Sequence, residues 1–413
     1  MSIYYQDGPL TIHHGDALDL PLDDNTVDLV VTSPPYFGLR SYQDGGEHYD
    51  GQIGAEPTPA EFVDALIAAT REMVRVVKPS GSIWVNLGDK YNAYNGNRGE
   101  GTIQANGVRQ SAPKGNGLDV KDVRQKSLIG IPWRYAIRCI DELGLVLRAE
   151  VVWSKPNGLP ESVKDRVRRS HEQWFHFTLN PRYYSAVDEI REPSGPEKAC
   201  GPGAMRGPRS IRERGQADPT LNNPLGKLPG SVWSVPTEPL RVPEELGIDH
   251  FAAFPTEWPR RIISGWSPRG VCVECGEGRR PVVDRDRQNT RPLVEAHALH
   301  GAHDGDDRRG FSRGETTASI TGEACACPEP TAPTTPGVVL DPFGGTGTTA
   351  LVARALGREA HSVDLSLDYC RLAQWRVTDP KQRAKIEKKV RERSAENVAA
   401  RFEREAGESD GDT

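Results

Sequence analysis

The sequence predicts an α/β fold: a mostly parallel sheet with helices on both faces and long loop insertions. Three observations carry this. Short β-branched and apolar runs alternate with segments whose apolar residues recur every three to four positions. One run ends abruptly in Ser33-Pro34-Pro35-Tyr36, and another opens a glycine-rich turn leading into a helical segment. Gly and Pro, 42 and 33 of 413 residues, exceed ordinary usage and predict many turns rather than a helical bundle.

Taken in order, Leu10–His14 reads as a short strand closing in Gly15-Asp16. Val27–Thr32 has the unbroken apolar character of a buried parallel strand. The two prolines after it stop the sheet ladder, so the tetrapeptide stands at the carboxyl end of a strand, where open α/β sheets bind ligands. Residues 59–77 predict a helix from the spacing of Phe62, Val63, Leu66, Ile67, Met73 and Val74, ended by Pro79-Ser80-Gly81. Residues 82–87 are the next strand. Residues 92–127 are rich in Gly, Asn, Lys and Arg and predict a long mobile loop, with Arg98, Arg109, Lys114 and Lys121 beyond the sheet edge. A helix at 131–143 and a strand at 145–153 follow, ending in Trp153-Ser154-Lys155-Pro156-Asn157.

Residues 192–245 lack sustained periodicity. A short helix at 256–265 carries Trp258, Ile262 and Ile263, and 267–336 is again irregular. Order returns with a strand at 337–341, the turn Pro342–Thr349, a helix at 350–356, a strand at 360–364 and a helix at 367–377. Residues 380–405 are charged, helical in tendency, and frayed at their end.

No apolar run reaches the length of a membrane span, and the N-terminus has no basic-then-apolar signal region, so a cytoplasmic protein is expected. Seven cysteines, an odd number in a long chain, argue against a disulfide scaffold. The net charge of −6 does not point to nucleic acid as partner, but residues 151–270 are net positive. Their clusters are Lys164/Arg166/Arg168/Arg169 and Arg206/Arg209/Arg212/Arg214, which read equally as a solvated face.

The turn after the 337–341 strand has the form of a cofactor loop. Glycines let backbone approach a ligand, and the helix N-terminus offers free N–H groups. It contains no Gly-Lys-Ser/Thr, which excludes a phosphate-binding P-loop, and its spacing is not Gly-x-Gly-x-x-Gly. Asp364 closes the next strand, where a carboxylate can accept hydrogen bonds from ribose hydroxyls. A tight turn holding no ligand is the plainer alternative.

Thr32-Ser33-Pro34-Pro35-Tyr36 together with Asp341-Pro342-Phe343-Gly344-Gly345-Thr346-Gly347-Thr348-Thr349 resembles the DNA methyltransferases that modify exocyclic amino groups using S-adenosylmethionine. The tetrapeptide precedes the cofactor loop, the order of the permuted, beta class. Gly15-Asp16 resembles the segment reaching the cofactor adenine. Val152–Asn157 with Pro160-Glu161-Ser162 and His171-Glu172 resembles the later catalytic block, and His250–Pro255 the segment near the cofactor's methionine. The resemblance covers about 1–91, 126–190, 231–266 and 337–378.

It implies a Rossmann-like sheet and a site made of Ser33, Pro34, Pro35 and Tyr36. Cofactor-binding residues are then Asp16, His250, Phe254, Asp341, Pro342, Phe343, Gly345, Gly347, Thr348 and Asp364. An amino group on a base is a poor nucleophile because its lone pair is delocalised into the ring. Hydrogen bonds from that amine to the Ser33 hydroxyl and the Pro34 carbonyl would turn the nitrogen toward sp³ character. Tyr36 would stack on a base flipped out of double-stranded DNA. No Pro-Cys dipeptide is present, so the nucleophile of ring-carbon cytosine methylation is absent. In the family a leading Ser goes mostly with cytosine N4 and a leading Asp with adenine N6, so cytosine N4 is favoured over adenine N6.

Cys272-x-x-Cys275 and Cys325-x-Cys327, with 49 residues between the pairs, suit a tetrahedral structural zinc, and Gly276 allows the knuckle turn. His297, His300 and His303 compete as ligands; four reduced cysteines in an irregular insertion are the plainer alternative. Arg166, Arg168, Arg169, Arg206, Arg209 and Arg212 fall where the family places target recognition, and arginine suits guanine edges and phosphates.

The expected organisation is a catalytic half at 1–191, a target-recognition region at 192–245, and a cofactor half at 246–266 and 337–378. A Cys-rich insertion occupies 267–336 and a charged tail 379–413. Methylation of RNA or protein, and an inactive zinc-dependent DNA-binding module, are the competing readings. A cognate restriction enzyme as second partner and the oligomeric state stay open.

Overall fold

The computed structural model of the chain describes residues 2–38, 43–44, 47–48, 51–92, 123–158, 160–192, 225–248, 253–288, 315–328 and 331–392. The elements run β1 (Ser2–Asp7), β2 (Leu10–His14), β3 (Val27–Thr32), β4 (Gln43–Asp44), β5 (Glu47–His48), α1 (Pro59–Val76), β6 (Val77–Leu87), α2 (Ile131–Leu143), β7 (Val146–Ser154) and β8 (His171–Thr178). They continue with β9 (Val232–Ser234), α3 (Glu257–Trp266), β10 (Val271–Cys272), β11 (Arg280–Gln288), β12 (Glu315–Ala324), β13 (Thr334–Thr335), β14 (Val338–Asp341), α4 (Thr348–Ala355), β15 (Glu359–Asp364) and α5 (Leu367–Thr378).

One sheet of nine strands organises the molecule, in the order β1-β2-β15-β14-β3-β6-β8-β7-β9. The pairings from β2 to β6 are all parallel, as is β7 with β9; β1–β2, β6–β8 and β8–β7 are antiparallel. The strand pleat sends alternate residues to opposite faces. Ile83, Val85, Phe175, Phe177 and Leu340 pack under α1 and α2. Trp84, Trp174, Leu29, Val31 and Val339 pack under α3, α4 and α5. The second face is rich in tryptophan: Trp233 and Trp174 both stack on Trp258, with ring centroids 4.9 and 5.0 Å away. The α/β class, the mainly parallel sheet and the two-sided helix packing are therefore as the sequence predicts.

Local chemistry explains the boundaries. Thr58 caps α1 by accepting a hydrogen bond from Glu61 N at 3.2 Å, Thr58 N in return donates to Glu61 Oε2 at 3.1 Å, and Pro59 occupies the first turn. Residues 380–392 form a further helix, docked by Ile386, which is 3% exposed.

The differences from the sequence expectation concern strands. The sequence assigns none at β1, β4, β5, β8 or β9, and β9 lies within a stretch expected to be irregular. Residues 267–336 are not simply irregular either, since β10 pairs with β13 and β11 with β12. β11, Arg280-Pro-Val-Val-Asp-Arg-Asp-Arg-Gln288, finds its ladder within its own hairpin, so its sequence lacks the apolar alternation that marks a strand laid on a core. Most of the 92–127 loop lies outside the described residues; its ends meet where Asn92 N donates to Ser127 O at 2.8 Å. Among the described residues no helix is long and apolar enough to cross a membrane.

Candidate active site

The carboxyl ends of β2, β15, β14, β3 and β6 all open onto one cleft of about 1000 Å³. This is the position expected of ligands in an open parallel sheet, because the loops that leave the strand ends diverge there. Ser33, Pro34, Pro35 and Tyr36 line it, after the buried β3. Pro342, Phe343, Gly345 and Thr348 face them from the loop after β14. Asp16 and Asp364 line the same cleft from the ends of β2 and β15.

The Ser33–Tyr36 turn is held through its side chains. Ser33 Oγ donates to Asn86 Oδ1 at 3.3 Å. The Tyr36 hydroxyl has one proton for two acceptors, Asn86 Oδ1 and Glu172 Oε2, each 2.8 Å away. Asn86 Nδ2 donates to Gln173 O at 3.0 Å, which fixes the amide with its oxygen toward the turn. Lys155 pairs with the Glu172 carboxylate, and its ammonium lies over the Trp153 ring, 4.1 Å from the centroid. Gly88 completes the fit: a Cβ there would come within 2.7 Å of the Tyr36 ring.

The loop after β14 is held through its backbone and by buried polar groups beneath it. Asp364 Oδ2 accepts from Gly345 N at 2.7 Å, and Asp364 Oδ1 from Ser366 N at 2.9 Å. Arg376 Nη1 donates to Thr346 Oγ1 at 2.7 Å and Thr348 Oγ1 at 2.6 Å. Burial pulls that guanidinium down to about 10. Gly347 has φ +69, a backbone conformation that side chains disfavour, and its missing Cβ would meet Ala373 of α5 at 3.0 Å.

Two of the residues expected to touch a cofactor do not line the cleft. Asp341 is 1% exposed and accepts from Thr32 Oγ1 at 2.6 Å, Thr349 Oγ1 at 2.8 Å and Phe343 N at 3.2 Å. Burial pushes its carboxyl up to about 7, against the three hydrogen bonds that favour its charged form. It ties β3, the loop and α4 together from below. Gly347 does not line the cleft; it serves packing against α5 and entry into α4. Phe254 lines the cleft as expected, edge-on to Trp174 with centroids 5.6 Å apart. His250 lies outside the described residues, as do Arg206, Arg209, Arg212 and Arg214.

The described arginines of the first basic cluster are committed inside the molecule. Arg166 pairs with Glu161 at 2.7 Å and lies over the Tyr91 ring, 3.7 Å from its centroid. Arg168 donates to Gly158 O at 2.8 Å. Arg169 lines the cleft, 3.6 Å from Asp89. These contacts brace the 155–170 segment at the mouth of the cleft. A cluster read from sequence alone looks free because its partners, Tyr91 and Asp89, belong to another part of the chain. The four cysteines do come together: their thiol sulfurs all lie within 4.8 Å of one another.

Sequence reasoning missed Asn86, Asp89, Glu238 and Arg376. Asn86 carried a signal, a lone amide inside the apolar run Ile83–Leu87. Asp89 accepts from Gly130 N and Ile131 N at 3.0 and 3.2 Å, placing a carboxylate at the amino end of α2. Glu238 lines the cleft. Burial raises its carboxyl, but hydrogen bonds from Lys385 and Thr256 and the Lys389 charge outweigh burial and hold it at about 2. Nothing in the local sequence marks Glu238 or Arg376.

Residues 27–273 and 332–375 match a protein family described as DNA methylase. The gap between the two matched segments holds three of the four clustered cysteines. The chain is 38% identical over 261 residues to the Type II methyltransferase M.Cfr9I of Citrobacter freundii, covering 61% of this chain and 71% of that protein. It is 29% identical over 369 residues to the Type II methyltransferase M.SmaI of Serratia marcescens, covering 88% and 89%. A solved structure described as PvuII DNA methyltransferase (cytosine-N4-specific) shares the fold with a TM-score of 0.50 at 17% identity, covering 95% of this chain and 93% of that one.

Proposed function

The chain belongs to the DNA methylase family, and from that premise we propose that it methylates the exocyclic N4 of cytosine, flipped out of double-stranded DNA, with the Ser33–Tyr36 turn as its catalytic centre. It is an S-adenosylmethionine-dependent DNA methyltransferase. One observation supports the reading of the turn above the rest: Ser33 and Tyr36 share Asn86 as partner and face the 342–348 loop across a single cleft.

The residues fit the cofactor. Asp364 lines the cleft at the end of β15, fixed by bonds from Gly345 N and Ser366 N, and a carboxylate is the acceptor that ribose hydroxyls call for. Asp16 stands at the neighbouring strand end, with a shallow depression beyond it lined by His14, Asp19 and Leu365 that suits a flat ring. Phe254, Phe343 and the Gly345 backbone supply the remaining wall. Bound there, S-adenosylmethionine supplies an electrophilic methyl on a sulfonium.

The chain's own groups do the rest. Ser33 gives its proton to Asn86, so its lone pairs are left to accept from the target amine. The Pro34 carbonyl takes the second N–H. Both bonds concentrate the nitrogen lone pair and hold it in line with the methyl, and such positioning is worth several kcal/mol, within the ~7–11 kcal/mol attainable. The N–C bond would form as the methyl–sulfur bond breaks to leave a neutral thioether, the surplus amine proton would pass to solvent, and no covalent enzyme intermediate is required. The Tyr36 ring, tethered through its hydroxyl, offers a stacking face worth about 1–3 kcal/mol toward the few kcal/mol of base flipping.

Ser33, where adenine-type turns carry Asp, supports cytosine as the base. Arg169 at the mouth of the cleft, with the 192–245 target-recognition region, is proposed to meet the DNA, and a cognate restriction endonuclease is proposed as the functional counterpart. The test is methyl transfer from labelled cofactor to duplex DNA, followed by digestion to nucleosides. N4-methylcytosine is expected. N6-methyladenine would overturn the choice of base, and label in RNA or protein but not DNA would overturn the substrate.

A further inference from the structure

Four cysteines stand together at the end of the sheet opposite the cleft. α3 runs from the cleft wall at Phe254 to Trp266, and β14 starts its return at Val338. Between them the chain makes an excursion of some seventy residues whose two ends are tied at its neck. Val271 pairs with Thr335 and Cys272 with Thr334. Val273 N donates to Pro333 O at 3.1 Å, and Arg358 Nη2 to Ser267 O at 2.9 Å. The neck rests on the segment after the far end of β8, where the Tyr184 hydroxyl donates to Arg279 O at 3.0 Å and Arg269 pairs with Glu189 at 3.2 Å.

At this neck the sulfurs of Cys272, Cys275, Cys325 and Cys327 lie within 4.8 Å of one another, with Cys272 and Cys327 3.9 Å apart. All four are free thiols. Four sulfurs placed about 2.3 Å from a central zinc ion would be separated by roughly 3.8 Å along the edges of the tetrahedron. The first pair is bent back on itself by a hydrogen bond from Gly276 N to Cys272 O at 2.9 Å, so Cys272 and Cys275 face the same point. The second pair follows directly from β12, which returns to the neck along its partner β11. A purely thiolate set is soft and complete, with no position left open for a substrate or a water. The histidines at 297, 300 and 303 lie outside the described residues and are not needed to complete four ligands.

We propose that Cys272, Cys275, Cys325 and Cys327 bind one structural zinc ion that clamps the excursion shut at its neck. The ion's task follows from its place. Trp266, just before the neck, and Val339, just after it, both belong to the tryptophan-rich core under the cleft. β10 and β13 pair over only two residues each, so a metal at this point would add a clamp across the neck to the core packing that already holds α3 and β14. The ion sits away from Ser33, the cofactor loop and Arg169, so it takes no part in methyl transfer or in reading the bases. This does not depend on which base is methylated.

The full chain, purified without added metal, is expected to carry one zinc per chain by plasma emission spectrometry. Growth with cobalt(II) in place of zinc is expected to give the thiolate charge-transfer and tetrahedral ligand-field absorption of a four-sulfur site. A mercurial reagent should release one zinc as it titrates the cysteines. The double variant Cys275→Ser/Cys325→Ser should lose the zinc and melt several degrees lower, while methylating the same sequence as the natural chain. A folded natural chain with well under one zinc, an octahedral cobalt spectrum, or a double variant that keeps its zinc would each overturn the site. A changed methylation sequence in the variant would overturn its separation from DNA reading. Should the double variant fail to fold, zinc content and cobalt spectrum of the natural chain decide.

Discussion

The Ser33–Tyr36 turn and the 342–348 loop follow adjacent strands, β3 and β14, and face each other across the cleft, yet they show it different parts of the chain. The turn presents side chains. Its prolines stiffen the backbone, and Asn86 and Glu172 hold the Ser33 and Tyr36 hydroxyls from strands further along the sheet. The loop presents mainly backbone, and its side chains work underneath. Asp341 and Arg376, both buried, grip Thr349, Thr346 and Thr348 from below. The Ser33 hydroxyl can meet the reacting amine because its proton is fixed on Asn86, beside the Pro34 carbonyl of the stiffened turn. A surface that must follow a large cofactor is better made of backbone whose supports are hidden from solvent. Damage to the turn should therefore fall on the chemical step, and damage to the loop on stability and cofactor affinity.

The sharpest break of that symmetry is Ser33→Ala. Removing one positioned hydrogen-bonding group from a reacting centre typically costs about 10²–10³ in rate. Single-turnover methyl transfer should fall by about that factor, with cofactor affinity by calorimetry unchanged. Full retained activity, or loss of cofactor binding in proportion, would end the assignment of Ser33 to the chemistry.

Arg376→Met strikes the loop instead. It keeps the volume but removes a buried charge that donates to two threonine hydroxyls; charge-assisted bonds are worth about 1.5–3 kcal/mol each, and relief of the guanidinium's desolvation offsets part of their loss. The expected result is a stability loss of about 2–3 kcal/mol by denaturant titration, with weaker cofactor binding and a normal chemical step once the cofactor is saturating. A variant equally stable but slow in the chemical step would reverse the comparison.

How much of this could be read from the sequence follows the same division. Ser33-Pro34-Pro35-Tyr36 and Pro342–Thr349 were legible because proline and glycine constrain their own backbone, and the effect is local. The cysteine pairs were legible by spacing. Their supports were not. Tyr36 reaches partners 50 and 136 residues away, and Arg376 reaches Thr348 across 28. A buried polar residue reveals its role only through its partner, and the sheet, not the chain order, brings the partner in. β8 escaped notice for a related reason: its short apolar run is ambiguous alone and gains meaning from its antiparallel place between β6 and β7. Asp341 reads as a ligand contact because it starts the recognised motif; its burial and its bonds from Thr32, Thr349 and Phe343, which also make it a brace, depend on partners the motif does not show.

That brace gives the loop a pH dependence the turn should lack. The Asp341 carboxyl is raised to about 7 by burial, against an ordinary value of 3.8. A group raised on folding contributes its stability below the unfolded value and loses it as pH climbs through the folded one. Between about pH 4 and pH 7 this residue should therefore make the chain progressively less stable. Asp341→Asn, which cannot ionise and can still accept from Thr32 and Phe343, should remove that slope. Melting temperatures of the two chains should separate in the variant's favour as pH rises across the window, and parallel profiles would show that Asp341 stays charged throughout.

The smallest expected effect is the most discriminating for the turn. Tyr36→Phe keeps the ring, its contact beside Gly88 and its stacking face, and removes only the hydroxyl bound between Asn86 and Glu172. If the tether matters only by orienting the ring, its loss is that of one hydrogen bond, about 1 kcal/mol, or roughly fivefold in the rate of methylating duplex DNA. The loss should nearly vanish when the target base is mispaired and already leaves the helix easily, because the ring's share in holding the flipped base is then less needed. Asn86 would still hold Ser33, so a Tyr36→Phe chain as slow as Ser33→Ala would mean that the hydroxyl, and not the ring, does the turn's work. Equal losses on paired and mispaired targets would place Tyr36 outside base flipping altogether.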